Sequence, residues 1–198
     1  MIDLFRNGSI AAEEFYGILS HISNTLTSAD ALLNDILQWA ASHQENGVER
    51  ESINLKDLPI SILNSNTLEF NRKKNQVKNL VPNNVQVTFD KNILTFVLRN
   101  LLLNANKFTE GGTISIESMH QKDSLILSVT DTGQGMSSEQ LDQLFNWRKR
   151  NSTVGTQGEK GSGLALLLSR DLLMKNGAEI LVESRKGEGS TFSIVLPA

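Results

Sequence analysis

The sequence contains no cysteine. Disulfides and thiolate metal sites are therefore excluded, and a reducing compartment is compatible with the chain. No apolar run approaches the ~20 residues of a membrane span, and the start lacks the charged-then-apolar order of a secretory signal. The fragment is accordingly expected to be soluble, without membrane contact of its own. An excess of charge of one sign is missing too, since 19 Lys and Arg stand against 22 Asp and Glu, for a net charge of −3. Such a balance generates no field that would gather nucleic acid or anionic lipid, so neither is an expected partner. Aromatic residues amount to 6% of the 198 residues, yet 39% are hydrophobic and 21% charged, which allows one substantial core and an appendage.

What the chain does have is concentrated in Arg99 to Thr109. Phe96, Val97, Leu98, Leu101, Leu102 and Leu103 crowd most sides of a helix, while Asn100, Asn104 and Lys107 recur at i, i+4 and i+7 on one narrow stripe. Buried amides cost a few kcal/mol unless paired, so the stripe needs an internal hydrogen-bond network or a ligand rich in oxygen. Upstream, Phe15, Leu19, Ile22, Leu26, Ala29, Leu33, Ile36 and Ala40 form an a/d seam, predicting one long coiled-coil-type helix from Ile10 to Gln44. Ile2 to Arg6 read as the last turn of an earlier helix, cut short.

From Glu49 onward the pattern predicts a short strand at Ser52 to Leu55, a helix from Leu58-Pro59 and a strand at Val85 to Phe89. Asp90 caps the stripe helix, and a hairpin follows over Thr113 to Met119 and Leu125 to Thr130. A helix from Leu164 to Asn176, stopped by Gly177, leads into a last hairpin of Glu179 to Ser184 and Thr191 to Leu196. This alternation suggests a layer of helices on one mixed sheet. Asp131-Thr132-Gly133-Gln134-Gly135-Met136 follows a strand directly, placing a carboxylate at a strand mouth beside a backbone free to turn closely. A second glycine cluster, Gly155 to Gly163, runs into the Leu164 helix, whose free amides suit a phosphate. A plain turn accounts for the first cluster and a flexible surface loop for the second, if each is taken alone.

Taken in order, Asn100 to Phe108, Asp131 to Gly135, Leu144-Phe145 and Gly158 to Gly163 resemble the catalytic ATP-binding domain of bacterial sensor histidine kinases. They correspond to its N box, first glycine box, Phe-containing box and second glycine box. Asn24 to Ser42 and the seam before it resemble the second helix of that family's dimerisation and phosphotransfer hairpin. The resemblance implies an α+β two-layer sandwich of the GHKL (Bergerat) type. A mixed, largely antiparallel sheet would be covered by helices on one face and preceded by the coiled-coil-type helix. Residues 1–48 would be a partial hairpin with a truncated first helix, and 49–198 the catalytic domain.

The cofactors so implied are ATP and Mg²⁺. Asn104 would hold Mg²⁺ through its side-chain oxygen, with phosphates and water as the other ligands of a hard cation. Asn100 would assist the phosphates or the metal, and Lys107 would neutralise phosphate charge. Asp131 would read the adenine amine, Gly133 and Gly135 would allow close approach, and Gly161 and Gly163 would hold phosphates. Lys160 is a better phosphate contact than Arg148-Lys149-Arg150, of which at least two read as a solvated face. Phe108, Met136, Ser162 and Leu164 complete the implied ATP-contacting set, and Thr191 would support Asp131 from a neighbouring strand.

The implied activity is transfer of the γ-phosphoryl of ATP to a histidine on the dimerisation helix, for relay to an aspartate of a response regulator receiver domain. The whole protein would be a homodimer, and this fragment the cytoplasmic part of a membrane-bound sensor. His21 is followed by Ile22-Ser23-Asn24-Thr25, without the acid and proline expected after an acceptor, and is not expected to be one. The acceptor is expected upstream, so the fragment should bind Mg-ATP, fail to phosphorylate itself and pair poorly. Related ATPases place a water-activating glutamate one turn before the metal asparagine, where this chain has Asn100. A Bergerat-fold ATPase and a non-catalytic nucleotide-binding scaffold remain the alternatives.

Overall fold

The computed structural model describes residues 15–19, 22, 33, 36, 37, 40, 50–146, 153–159 and 163–197. In chain order the elements are β1 (Arg50–Asn54), α1 (Asp57–Ser65), α2 (Thr67–Arg72), β2 (Gln76–Asn79), β3 (Gln86–Asp90) and α3 (Lys91–Phe108). They continue with β4 (Thr113–Gln121), β5 (Ser124–Asp131), α4 (Ser138–Gln143), α5 (Ala165–Lys175), β6 (Glu179–Arg185) and β7 (Gly189–Pro197). Of the predicted seam, Phe15, Leu19, Ile22, Leu33, Ile36 and Ala40 are helical, whereas Leu26 and Ala29 lie outside the described residues, as does His21.

Five strands form one mixed sheet in the order β2-β4-β5-β7-β6; β2 runs parallel to β4 and the other pairs are antiparallel. β1 and β3 make a separate antiparallel ribbon. Period-two alternation turns Leu125, Leu127 and Val129 of β5, and Phe192, Ile194 and Leu196 of β7, into the core. α3 packs over β5 and against α5. Its Leu94, Val97, Leu98, Leu101 and Leu102 have no solvent exposure. Asp90, the last residue of β3, stays extended (φ −75°, ψ 118°), and its carboxylate accepts hydrogen bonds from the amides of Asn92 (2.9 Å) and Ile93 (3.0 Å), the cap expected for this helix.

Three features depart from the sequence reading. The helix after Leu58 is two helices broken at Asn66, whose side chain donates to the carbonyl of Ile62 at 2.8 Å. β2 has one apolar residue in four and no alternation to betray it; pairing with β4 makes it a strand. α4 carries a capping box, Ser137 accepting from the Gln140 amide while the Gln140 side chain accepts from the Ser137 amide. Ser137-x-x-Gln140 was its readable sign.

The cap and the core on α3 should differ in cost. Asp90→Ala is expected to lower stability by about 1 kcal/mol, and Leu101→Ala by about 2–5 kcal/mol, both read from urea denaturation midpoints; equal losses would contradict this packing.

Candidate functional site

Asp131 ends β5 on the same face as Leu127 and Val129, which makes it a buried carboxylate with 4% exposure. Its Oδ1 accepts from the amide of Gly133 at 2.8 Å and from the hydroxyl of Thr109 at 3.4 Å. Burial pushes its pKa up, against hydrogen bonds from the Gly133 amide, the Thr109 hydroxyl and the Ser190 amide that pull it down. A Cβ at Gly133 would collide with the carbonyl of Phe108, and one at Gly135 (φ +59°) with the carbonyl of Arg185, so both glycines are required by close approach. The loop is tied at both sides: the Gln134 amide donates to the Phe108 carbonyl (3.0 Å), and the Gly187 amide donates to the Gln134 carbonyl (2.7 Å). The Met136 amide donates to the hydroxyl of Ser184 at 2.9 Å.

The polar stripe runs along α3 towards this loop. Asn100, 7% exposed, donates from Nδ2 to the Ser169 hydroxyl of α5 at 3.4 Å, and that hydroxyl donates to the Ala165 carbonyl at 2.7 Å. Asn104 is half-buried and makes no side-chain hydrogen bond among the described residues. Asn106 has a different task. It is 5% exposed, donates to the Glu69 carbonyl (3.2 Å) and accepts from Asn75 Nδ2 (2.9 Å), so it belongs to a structural network. Lys107 donates to the Thr153 carbonyl at 3.0 Å, and its ammonium lies 4.8 Å from the centroid of the half-buried Phe108 ring. Burial lowers the Lys107 pKa; Glu159 opposes that shift and Lys73 adds to it.

Gly163 (φ +69°) and Leu164 lead into α5. Lys160, Gly161, Ser162 and Arg148-Lys149-Arg150 lie outside the described residues. Phe145 stacks under the guanidinium of Arg170, 4.9 Å away, joining the segment after α4 to α5.

Thr191 is not where the sequence reading put it. Register pairs it with Thr130, and the two hydroxyls lie 3.1 Å apart on the face away from Asp131. The residue opposite Asp131 is Ser190, hydrogen bonded to Ser184 at 2.9 Å. Counting back by two from the core residue Phe192 would have pointed to Ser190. Ser169, Ser184 and Lys73 had no such sign, because the partners in question, Asn100, Met136 and Glu159, are distant in sequence.

Residues 89–198 match the family described as histidine kinase-, DNA gyrase B- and HSP90-like ATPase. The autoinducer 2 sensor kinase/phosphatase LuxQ of Vibrio parahaemolyticus is 29% identical over 96% of this chain and 23% of its own length. The adaptive-response sensory kinase SasA of Gloeothece citriformis is 30% identical over 84% of this chain and 43% of its own. The sensor histidine kinase WalK of Bacillus subtilis is 28% identical over 84% and 28%, so the chain spans less than half the length of these relatives. Among solved structures, Acinetobacter baumannii histidine kinase AdeS superposes with a TM-score of 0.70 at 18% identity, over 99% of this chain and 90% of that one. Full-length ShkA in complex with AMPPNP does so at 0.68 and 22%, over 95% and 39%. Histidine kinase ThkA in complex with the response regulator TrrA gives 0.70 and 21%, over 95% and 52%. At these identities the structures share the fold.

The burial of Asp131 has a measurable consequence. With its folded pKa above the ordinary 3.8, the folded state binds a proton more readily than the unfolded one. The stability this group contributes is complete below the unfolded value and is lost as pH rises through the folded value. Asp131→Asn keeps the acceptor for Gly133 and Thr109 without the charge. It should leave the urea midpoint at neutral pH unchanged or raised, and flatten the pH dependence just above 3.8; a loss beyond about 1 kcal/mol at neutral pH would contradict it.

Proposed function

The chain belongs to the histidine kinase-, DNA gyrase B- and HSP90-like ATPase family, and from that membership we propose that it is the ATP-binding catalytic part of a two-component sensor histidine kinase. The observation that carries this reading is the splice between its two walls. The stripe of Asn100, Asn104 and Lys107 ends at Phe108, whose carbonyl is hydrogen bonded to the loop headed by Asp131. In this reading one surface carries a buried carboxylate at one end and amides with a cation at the other. Adenine at the first and phosphates at the second match that polarity.

In this reading Asp131 accepts a hydrogen bond from the exocyclic amine of adenine, held in place by the Gly133 amide and Thr109. Gly133, Gly135 and Met136 leave room for the base, and Ser190, paired with Asp131 across the sheet, supports the carboxylate in place of Thr191. Lys107 and Asn100 face the phosphates, joined by Lys160, Gly161, Ser162, Gly163 and Leu164. Among the described residues no group of three or more His, Asp or Glu is placed to hold a metal. The Asn104 amide, half-buried and without a side-chain hydrogen bond among the described residues, fits a hard cation whose other ligands are phosphate and water oxygens. Bound Mg²⁺ would offset charge on the phosphates.

Asn100 cannot take a proton, so it does not serve as the base that activates water. That favours transfer of the γ-phosphoryl to a histidine nitrogen over hydrolysis, with the phosphoryl passing onward to a response regulator receiver domain. Residues 49–198 would form the catalytic domain, and residues 1–48 part of the dimerisation and phosphotransfer hairpin of a cytoplasmic kinase core.

Calorimetry with AMPPNP and Mg²⁺ tests binding, and an intact acceptor hairpin supplied in trans tests transfer. Asn104→Ala should lower the transfer rate about a hundredfold or more with an unchanged urea midpoint. Undiminished transfer would sink the assignment, and tight binding by the wild-type protein with no transfer to any acceptor would favour a scaffold.

A further inference from the structure

Lys73 was no part of the sequence reading, yet it is among the most buried charged residues described, with 2% exposure. It follows α2, and its ammonium has three acceptors: the Glu159 carboxylate at 2.6 Å, the Lys107 carbonyl at 2.6 Å and the Thr156 hydroxyl at 2.7 Å. A lysine ammonium has three N–H donors, so its hydrogen-bonding capacity is filled. A buried ammonium is costly unless it is paired and hydrogen bonded, so its partners must account for its place here.

The acceptors supply the reason. The Lys107 carbonyl is one of the last of α3, which have no partner within the helix and lie at its negative end. It also accepts from the Thr156 amide at 3.1 Å. Lys73 thus caps α3 from outside and clasps residues 153–159 to it through Thr156 and Glu159. Gly155 lets the segment lie flat, since a Cβ there would come within 2.7 Å of Lys107 Cγ. The carboxylate is closed in by its own segment, with the Gln157 amide donating to Glu159 at 2.9 Å. Burial pushes the Glu159 pKa up, but the Lys73 hydrogen bond, the two backbone amides and the Lys73 charge outweigh it and hold the carboxyl below its ordinary value.

We propose that Lys73 is a positioning residue for the phosphate end of the nucleotide: with Glu159 it latches the start of the second glycine box onto the turn of α3 that carries Lys107. The latch fixes the Lys107 backbone and places the Glu159 carboxylate between two lysines. It does not touch the base, which the Asp131 end would hold. This role rests on the reading of the site given above, and it predicts a difference between ligands with and without phosphates.

The test compares AMPPNP with adenosine on the whole chain, in the presence of Mg²⁺, for the wild type, Lys73→Met and Glu159→Gln. Lys73→Met should weaken AMPPNP binding at least tenfold and change adenosine binding less than twofold; Glu159→Gln should show the same split. Glu159 is 27% exposed, so the second variant keeps the test alive if the first does not fold. Equal losses for both ligands, or no loss for either, would overturn the proposal. Hydrogen exchange at the Thr156 and Gln157 amides, measured without nucleotide, reads the latch separately. Protection in the wild type should vanish in Lys73→Met, and its persistence would also overturn the proposal. Failure of the wild type to bind AMPPNP, with that protection present, would instead overturn the nucleotide site, and this role with it.

Discussion

The architecture of the site depends on the carbonyl groups at the end of α3. A helix cannot satisfy its last carbonyls internally, and in this chain the last two of α3 and that of the cap residue Thr109 anchor other segments. The Lys107 carbonyl holds Thr156 and Lys73, the Phe108 carbonyl holds Gln134, and the Thr109 carbonyl accepts from Asn75 at 2.9 Å. The 153–159 segment, the Asp131 loop and the turn before β2 all meet at one helix end. Helix rigidity is thereby transferred to loops that have little core of their own.

Polar side chains carry the same principle inward. Asn75 donates to both Asn106 and the Thr109 carbonyl and accepts from the Gly112 amide at 3.1 Å; Asn106 reaches back to α2. Both side-chain amides of that network are engaged within the protein. Asn104, on the facing stripe, is left with spare capacity among the described residues. Three asparagines within seven positions of one helix thus divide into Asn106, bound into this network, and two on another stripe, because a rotation of 100° per residue separates their faces. Burial of Asp131 follows another logic. A carboxylate whose pKa is held up by desolvation costs stability at neutral pH, where it is ionised.

Local chemistry was enough for most of the elements. The Asp90 cap, the alternation of β5 and β7, the stop at Gly177 and the position of Asp131 at a strand end were all legible. Each depends on neighbours a few residues away. The stripe of Asn100, Asn104 and Lys107 was legible for the same reason, since helical periodicity alone aligns it.

What the sequence could not show lay in pairings between distant segments. Strand register decides that Ser190, and not Thr191, faces Asp131, and a one-residue difference turns a side chain to the opposite side of the sheet. β2 exists through its parallel neighbour. Lys73 meets Glu159 across more than eighty positions, and no spacing rule reaches that far. The sequence by itself determined on which local face Asn100, Asn104, Lys107 and Asp131 stand. Tertiary structure alone decided which of those faces meet, because closing long loops and burying charges are won by the fold as a whole.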